Sequence, residues 1–209
     1  MQPVKELLVK YGITPKGVLH VGAHNGAEYI EYKAMGFSRI TMFEPQPRWA
    51  EHIHATYGAD PTLSVVNKAV GSSVGTMDLY VETHNAGMSC SLLRPLVHLE
   101  QYPDITFDST MPVPVTTLDA ELPSHGGASA YNVMNMDIQG YELEALKGAV
   151  SVLPHLDAIY TEVNQAELYE GCGQIGEIDM FLKSFGFSRV ETDWMGGTWG
   201  DALYVRSLV

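Results

Sequence analysis

A strand that runs directly into a glycine turn is the feature that most constrains the fold of this chain. Residues 18–21 have the mostly apolar composition of a buried strand, and the turn Gly22-Ala23-His24-Asn25-Gly26 follows them. Beyond the turn, apolar residues recur at helical spacing until Gly36, a residue type that commonly ends a helix. This order is typical of α/β folds in which the backbone approaches a ligand at the start of the helix.

The alternation of short strands with amphipathic helices continues along the chain. We predict further strands at residues 40–43, 63–66, 131–136, 158–160, 187–190 and 202–205, and an extended hairpin segment at 76–81. This order favours one α/β domain over residues 1–209, with a parallel sheet and helices on both faces. Residues 1–16 are expected to form a leading helix. Residues 82–114 mix Pro, His, Asn and Ser with apolar residues and are expected to form an irregular loop on the substrate side.

The bulk composition excludes several classes of function. Twelve Lys and Arg against twenty-five Asp and Glu give a formal net charge of −13, so we expect no nucleic-acid partner. The two cysteines form neither a disulfide framework nor a zinc spacing, and they fit a reducing compartment. No apolar stretch approaches the roughly 20 residues of a transmembrane helix, and the N-terminal residues lack the pattern of a signal peptide. We therefore expect a cytoplasmic protein with no membrane partner.

The end of the second predicted strand carries an acidic residue, Glu44. It follows Gly26 by roughly 20 residues, the spacing at which folds of this kind place a carboxylate on ribose hydroxyls. Phe43 and Pro45 would frame an apolar slot beside it, and the amide of Asn67 could meet an adenine edge. The turn has the spacing Gly-x-x-x-Gly in place of the dinucleotide fingerprint Gly-x-Gly-x-x-Gly, which disfavours a nicotinamide-dependent oxidoreductase.

Three blocks in order along the chain carry a more specific signal. The first is His20-Val21-Gly22-Ala23-His24-Asn25-Gly26 with Glu28, the second is Phe43-Glu44-Pro45, and the third is Asn135-Met136-Asp137-Ile138-Gln139-Gly140-Tyr141-Glu142-Leu143, continuing to Leu146-Lys147-Gly148-Ala149. Together they resemble the FkbM family of methyltransferases. Weaker similarity at Thr117-Leu118-Asp119, at Met88-Ser89-Cys90-Ser91-Leu92 and at Thr161-Glu162-Val163 extends the resemblance over about residues 17–190.

The resemblance implies a class I, Rossmann-like methyltransferase fold with a mostly parallel seven-stranded sheet. It also implies S-adenosylmethionine as the methyl donor and usually a hydroxyl acceptor on a sugar, a glycan or another small molecule. His20 and His24 depart from the pattern, because many class I enzymes carry an acidic residue and a glycine at those positions. This departure keeps open a non-catalytic binding module as an alternative. The sequence also leaves open whether the protein forms a homo-oligomer.

The candidate site residues lie at the ends of the predicted strands. Those predicted to contact the donor are His20, Gly22, Ala23, His24, Asn25, Gly26, Glu28, Glu44, Pro45, Asn67, Ala69, Asp137 and Gln139. Asp137 and Glu162 end two neighbouring strands and would meet at one edge of the sheet, where two carboxylates split their pKa values and can provide a base. His24 is a third catalytic candidate, since the reference pKa of histidine lies near neutrality. No spacing demands a metal, so we predict none.

Two further groups of residues are not expected to contribute to the site. His84 and His98 lie in the predicted irregular loop and are expected on the surface. Trp194 and Trp199 flank a pair of glycines, and packing in a hairpin is favoured over stacking on a sugar ring.

Overall fold

The computed structural model describes residues 4–195 and 197–207. Seven α-helices and ten strands are found in this part of the chain, together with short 3-10 turns. In chain order they are α1 Val4–Lys10, β1 Gly17–Val21, α2 Tyr29–Met35, β2 Arg39–Phe43, α3 Pro47–Tyr57, β3 Leu63–Val66, β4 Ala69–Val70, β5 Gly75–Glu82, α4 Val97–Gln101, β6 Phe107–Thr116, α5 Leu118–Glu121, β7 Val133–Met136, α6 Glu142–Lys147, β8 Ala158–Asn164, α7 Ile175–Lys183, β9 Phe187–Met195 and β10 Trp199–Arg206.

The main sheet has seven strands in the order β3-β2-β1-β7-β8-β10-β9. All neighbours from β3 to β8 pair in parallel, and β10 runs antiparallel to both β8 and β9. The predicted mostly parallel seven-stranded sheet is therefore confirmed. The chain order reverses between β1 and β7, and this is the point at which open α/β sheets leave a crevice beyond the carboxyl ends of their strands.

Alternate residues of the central strands point into two cores, one on each face of the sheet. Leu19 and Val21 of β1 pack in a cluster that also contains residues of α5, α6 and α7. Val18 of β1 packs in a second cluster with residues of α1, α2 and α3. Helices therefore cover both faces, as the alternation of strands and helices along the chain predicted.

The region predicted as an irregular loop contains the short helix α4 and the strand β6, so that prediction is wrong for residues 97–101 and 107–114. β6 pairs with β5 in antiparallel fashion and with β4 in parallel, forming a separate three-stranded sheet. Pro112 and Pro114 hid the alternation of Met111, Val113 and Val115 in the sequence. Both prolines lie where β6 pairs only with β5, and an edge of this kind tolerates proline because no partner needs its N–H.

The leading helix is shorter than predicted. Within the predicted range of residues 1–16, the helix covers Val4–Lys10 and is followed by a turn at Gly12, whose φ is +68°. Residues 1–3 lie outside the described residues. A glycine in the left-handed region ends the helix, because other residues adopt that conformation at a cost.

Candidate functional site

The glycine turn after β1 brings the ends of three strands together. The N–H groups of Gly22 and Ala23 both donate to the carbonyl of Phe43 at the end of β2, at 3.0 Å each. Gly22 has φ +88°, and a Cβ on this residue would lie 1.9 Å from the carbonyl oxygen of Asp137, which follows β7. Glycine is therefore required here for two reasons, its backbone conformation and the close approach of the neighbouring chain.

Glu44 lies immediately after β2 and faces the turn. Its side chain accepts the backbone N–H of His24 at 2.7 Å and that of Gln46 at 2.8 Å. Burial raises the pKa of Glu44 to about 7, against the opposing effect of these two hydrogen bonds. Each carboxyl oxygen keeps a lone pair for a further donor, so the residue can accept hydrogen bonds from the hydroxyl groups of a bound ligand.

A first cavity of about 550 Å³ opens beside Glu44. Apolar side chains form much of its wall, namely Phe43, Val70, Leu79, Leu92 and Ile138. The predicted residues Gly22, His24, Glu44, Pro45, Ala69, Asp137 and Gln139 also line it. A mostly apolar slot with the Glu44 carboxyl at its edge fits an adenosine group, whose base is flat and whose ribose carries two adjacent hydroxyls.

A tight turn at residues 85–88 covers part of the first cavity. Ala86 and Gly87 both have positive φ, at +56° and +88°. The carbonyl of Ala86 lies 2.9 Å from His24 Nε2 and also accepts a hydrogen bond from the Arg48 side chain at 2.9 Å. The Gln46 side chain donates to the carbonyl of Gly87 at 3.1 Å. His24, a catalytic candidate from the sequence, thus holds this turn at the mouth of the first cavity.

Asp137 and Glu162 lie together, bridged by the side chain of Gln139. The Gln139 amide nitrogen donates to Asp137 Oδ1 at 2.7 Å and to Glu162 Oε2 at 2.9 Å. The hydroxyl of Tyr169 donates to Gln139 Oε1 at 2.8 Å and fixes the orientation of the amide. Burial raises the pKa of Asp137, while burial and the neighbouring Asp137 carboxylate raise the pKa of Glu162 well above its usual range. Both carboxyl groups therefore bind a proton more readily than they would in water.

Glu142, the first residue of α6, fixes the turn that carries Gln139. Gln139 and Gly140 have φ +56° and +97°, and Glu142 Oε1 accepts the N–H groups of Ile138 at 2.9 Å and Gly140 at 3.2 Å. Burial raises the pKa of Glu142 to about 7. Glu142 thus stabilises the turn that places Gln139 between the two carboxyls.

A second cavity of about 670 Å³ lies on the other side of this carboxyl pair. It shares Met88, Asp137 and Gln139 with the first cavity. Its remaining wall includes Ser89, His98, Tyr102, Glu162 and Trp199. The two cavities therefore meet at three residues, and two of these belong to the turn after β7.

Several residues of the second cavity were not predicted as site residues. His98 was expected on the surface, but it is only 3% exposed and lines this cavity, whereas His84 is exposed as predicted. Trp199 begins a strand of the β9–β10 hairpin, as favoured from the sequence, and also lines the cavity, where its Nε1 donates to the hydroxyl of Tyr102 at 2.8 Å. The sequence feature that could have indicated this cavity is the concentration of aromatic and His residues after residue 82.

The other predicted donor contacts lie outside both cavity walls. They are His20, Ala23, Asn25, Gly26, Glu28 and Asn67. His20 is buried against Tyr32, with ring centroids 5.7 Å apart, and burial lowers its pKa. The amide nitrogen of Asn67 donates to the carbonyls of Glu44 and Pro45, at 2.8 and 3.0 Å, and so supports the end of β2. These positions shape the backbone behind the first cavity.

The described residues contain no cluster of His, Cys, Asp and Glu side chains able to hold a metal ion. A search of the helices over the same residues found none long and apolar enough to span a bilayer.

The chain is similar in sequence to known methyltransferases. A family model described as the methyltransferase FkbM domain matches residues 20–189. The 2-O-methyltransferase NoeI of Sinorhizobium fredii (strain NBRC 101917 / NGR234) is 26% identical over 192 residues, which cover 89% of this chain and 77% of that protein.

Solved structures of methyltransferases share the fold. The N-methyltransferase NodS from Bradyrhizobium japonicum WM9 superposes with a TM-score of 0.54 at 10% identity, covering 99% of this chain and 95% of that one. The magnesium protoporphyrin IX methyltransferase ChlM from Synechocystis PCC 6803, solved with bound SAM, gives a TM-score of 0.52 at 12% identity, covering 98% and 76%. The predicted class I fold is confirmed by this likeness.

Proposed function

The chain belongs to the FkbM methyltransferase family and is an S-adenosylmethionine-dependent methyltransferase, and we propose that its acceptor is a hydroxyl group on a sugar, a glycan or another small molecule. The observation that carries this proposal is the meeting of two cavities at Met88, Asp137 and Gln139. A group-transfer enzyme needs a donor site and an acceptor site that touch at the reacting atoms. The relative named as a 2-O-methyltransferase supports oxygen as the acceptor atom.

The first cavity is assigned to the donor. The carboxyl of Glu44 would accept the ribose hydroxyls, and the side chains of Phe43, Val70 and Ile138 would pack on the adenine. S-adenosylmethionine, when bound, supplies a methyl group on a positively charged sulfur. The negative charge of the Asp137–Glu162 pair favours a cation at the junction of the two cavities.

The second cavity is assigned to the acceptor. Asp137 lines both cavities, so its carboxylate would accept a hydrogen bond from the acceptor hydroxyl and orient the oxygen towards the donor. Gln139 holds Asp137 and Glu162 together in one arrangement. Most of the rate enhancement in such a transfer comes from this alignment, because the methyl donor is already reactive.

The test has two stages. Calorimetry with S-adenosylmethionine and S-adenosylhomocysteine measures donor binding, and absence of binding at millimolar concentration would contradict the donor assignment. Transfer of a tritiated methyl group is then measured against methyl glycosides, free sugars and small polyols. NMR of the product locates the new methyl group. A methyl group on nitrogen or carbon would contradict the proposed hydroxyl acceptor.

A further inference from the structure

A buried histidine lines the second cavity and has no role in the assignments above. His98 lies in the short helix α4 and is only 3% exposed. The rings of Tyr102, Phe107 and Tyr169 surround it at centroid distances of 5.1, 5.4 and 5.4 Å. The backbone N–H of His98 donates to the carbonyl of Leu168 at 3.1 Å, which anchors α4 against the segment after β8. The imidazole is therefore held in place by contacts from several elements.

One nitrogen of the His98 ring lacks a hydrogen-bond partner among the described residues. Its Nδ1 atom is buried and makes no hydrogen bond to any residue that the structure describes. Buried polar atoms in proteins are nearly always hydrogen-bonded, so an unpaired nitrogen in a ring that lines a cavity points to a partner that binds there. Asp137 and Glu162 line the same cavity, which places this ring beside the proposed acceptor site.

We propose that His98 takes the proton from the acceptor hydroxyl during methyl transfer, an inference that rests on the proposed function. The hydroxyl oxygen forms the new bond to the methyl carbon, and the electron pair of the carbon–sulfur bond stays on sulfur. The O–H proton moves to the imidazole of His98. The positive charge that leaves the sulfur thus reappears on the imidazolium, and the total charge of the site is unchanged.

The surroundings of His98 suit both states of the ring. The titratable groups around it are Glu82 of β5, whose charge acts on the ring, and Tyr102 and Tyr169, whose rings contact it. Asp137, which follows β7, and Glu162 of β8 line the same cavity. Burial lowers the pKa of His98, against the opposing charge of Glu82, so the ring is neutral and able to accept a proton near pH 7. The charge of Glu82 then stabilises the imidazolium once it forms.

The other base candidates are occupied by contacts. His24 lies on the first cavity, and its Nε2 is 2.9 Å from the carbonyl of Ala86. Asp137 accepts a hydrogen bond from the Gln139 amide, which also donates to Glu162. Asp137 therefore orients the hydroxyl, while His98 receives its proton.

Variants of His98 test the proposal through turnover and rescue. His98→Asn and His98→Ala are compared with His84→Asn, a control on an exposed histidine of the same segment. We expect both His98 variants to bind S-adenosylhomocysteine like the wild type, and to lose about 10²–10⁴-fold in turnover. Added imidazole should restore part of the turnover of His98→Ala, and the control should match the wild type. Wild-type turnover in His98→Ala, or a loss matched by an equal loss of donor affinity, would overturn the proposal.

A second measurement does not depend on turnover. The ¹⁵N signals of the His98 ring are followed by NMR while glycerol, a small hydroxyl probe, is added to the complex with S-adenosylhomocysteine. A shift of the ring nitrogen signal that is absent for His84 supports a hydroxyl site at His98. An unchanged signal overturns the proposal. If no hydroxyl compound is methylated but the glycerol shift appears, the proposed acceptor class fails while the ligand-binding role of His98 stands.

Discussion

Replacing Gly22 with alanine should destabilise the protein more than the same change at another glycine with positive φ. Gly22 and Gly12 have φ +88° and +68°, so alanine is strained at both, at a cost of about 1–2 kcal/mol each. A Cβ on Gly12 meets no described heavy atom within 4 Å, whereas a Cβ on Gly22 would lie 1.9 Å from the carbonyl oxygen of Asp137. The ends of β1 and β7 must separate to relieve this clash, and the separation adds about 1–3 kcal/mol to the loss of stability.

The comparison isolates the close approach from the backbone strain. For a domain of this size about 1 kcal/mol shifts the Tm by about 2–4 °C, so Gly22→Ala should melt about 2–12 °C below Gly12→Ala. The Tm values of both variants are measured by thermal unfolding followed by circular dichroism. Calorimetry should show weakened binding of S-adenosylhomocysteine for Gly22→Ala alone, because the shift reaches the first cavity. Equal Tm values for the two variants would refute the argument that the neighbouring chain requires glycine at this position.

Four further outcomes are expected. Glu44→Gln removes one of two acceptors for backbone N–H groups and the charge beside the ribose, and should weaken S-adenosylhomocysteine binding by about 10–100-fold in calorimetry. Asp137→Asn should lower turnover by about 10²-fold or more in the tritium assay and change donor affinity far less. Arg48→Ala removes a hydrogen bond to the carbonyl of Ala86 and should speed S-adenosylhomocysteine release by about 2–10-fold in stopped-flow fluorescence. The pKa of Glu142 is raised from 4.5 to about 7, so the contribution of this shift to the free energy of unfolding is full below pH 4.5, falls as the pH rises above 4.5, and is lost once the pH has passed 7. Glu142→Gln stays neutral and should exceed the wild type in free energy of unfolding by about 1–3 kcal/mol near pH 8, with little difference near pH 5, in urea titrations.

Each of these has an outcome that contradicts it. Unchanged donor affinity in Glu44→Gln would place the ribose elsewhere. Equal losses of turnover and donor affinity in Asp137→Asn would contradict its assignment to the acceptor hydroxyl. Unaltered release in Arg48→Ala would show that the turn at residues 85–88 does not retain the donor. A Glu142→Gln variant less stable than the wild type near pH 8 would show that the carboxylate is needed in its ionised form.

The parts of the fold predicted from the sequence are those with local signals. The glycine turn, the strand alternation and the placement of Glu44 follow from residues close together in the chain, and all three were predicted. Strand β6 was missed because its prolines interrupt the apolar alternation, and only the pairing with β5 explains why they are tolerated. The family match removes the nicotinamide-dependent and non-catalytic alternatives.

The parts of the site that were missed depend on contacts between distant segments. The burial of His98 comes partly from Tyr169, which is far away in the sequence. The bridge from Gln139 to both Asp137 and Glu162 likewise depends on the register of β7 against β8. Residue types and spacing place such groups at one edge of a sheet, but they do not say which side chain lies between which others.

The sharing of Met88, Asp137 and Gln139 by the two cavities has a consequence for inhibitor design. On the proposed assignment of the two cavities, a single molecule that joins an adenosine group to a polyol through a short tether would occupy both at once. Binding of the first half then holds the second at a high effective concentration, so the linked compound gains affinity that neither half has alone. Such a compound would also report the acceptor preference, because variation of the polyol at constant adenosine changes only the contacts in the second cavity.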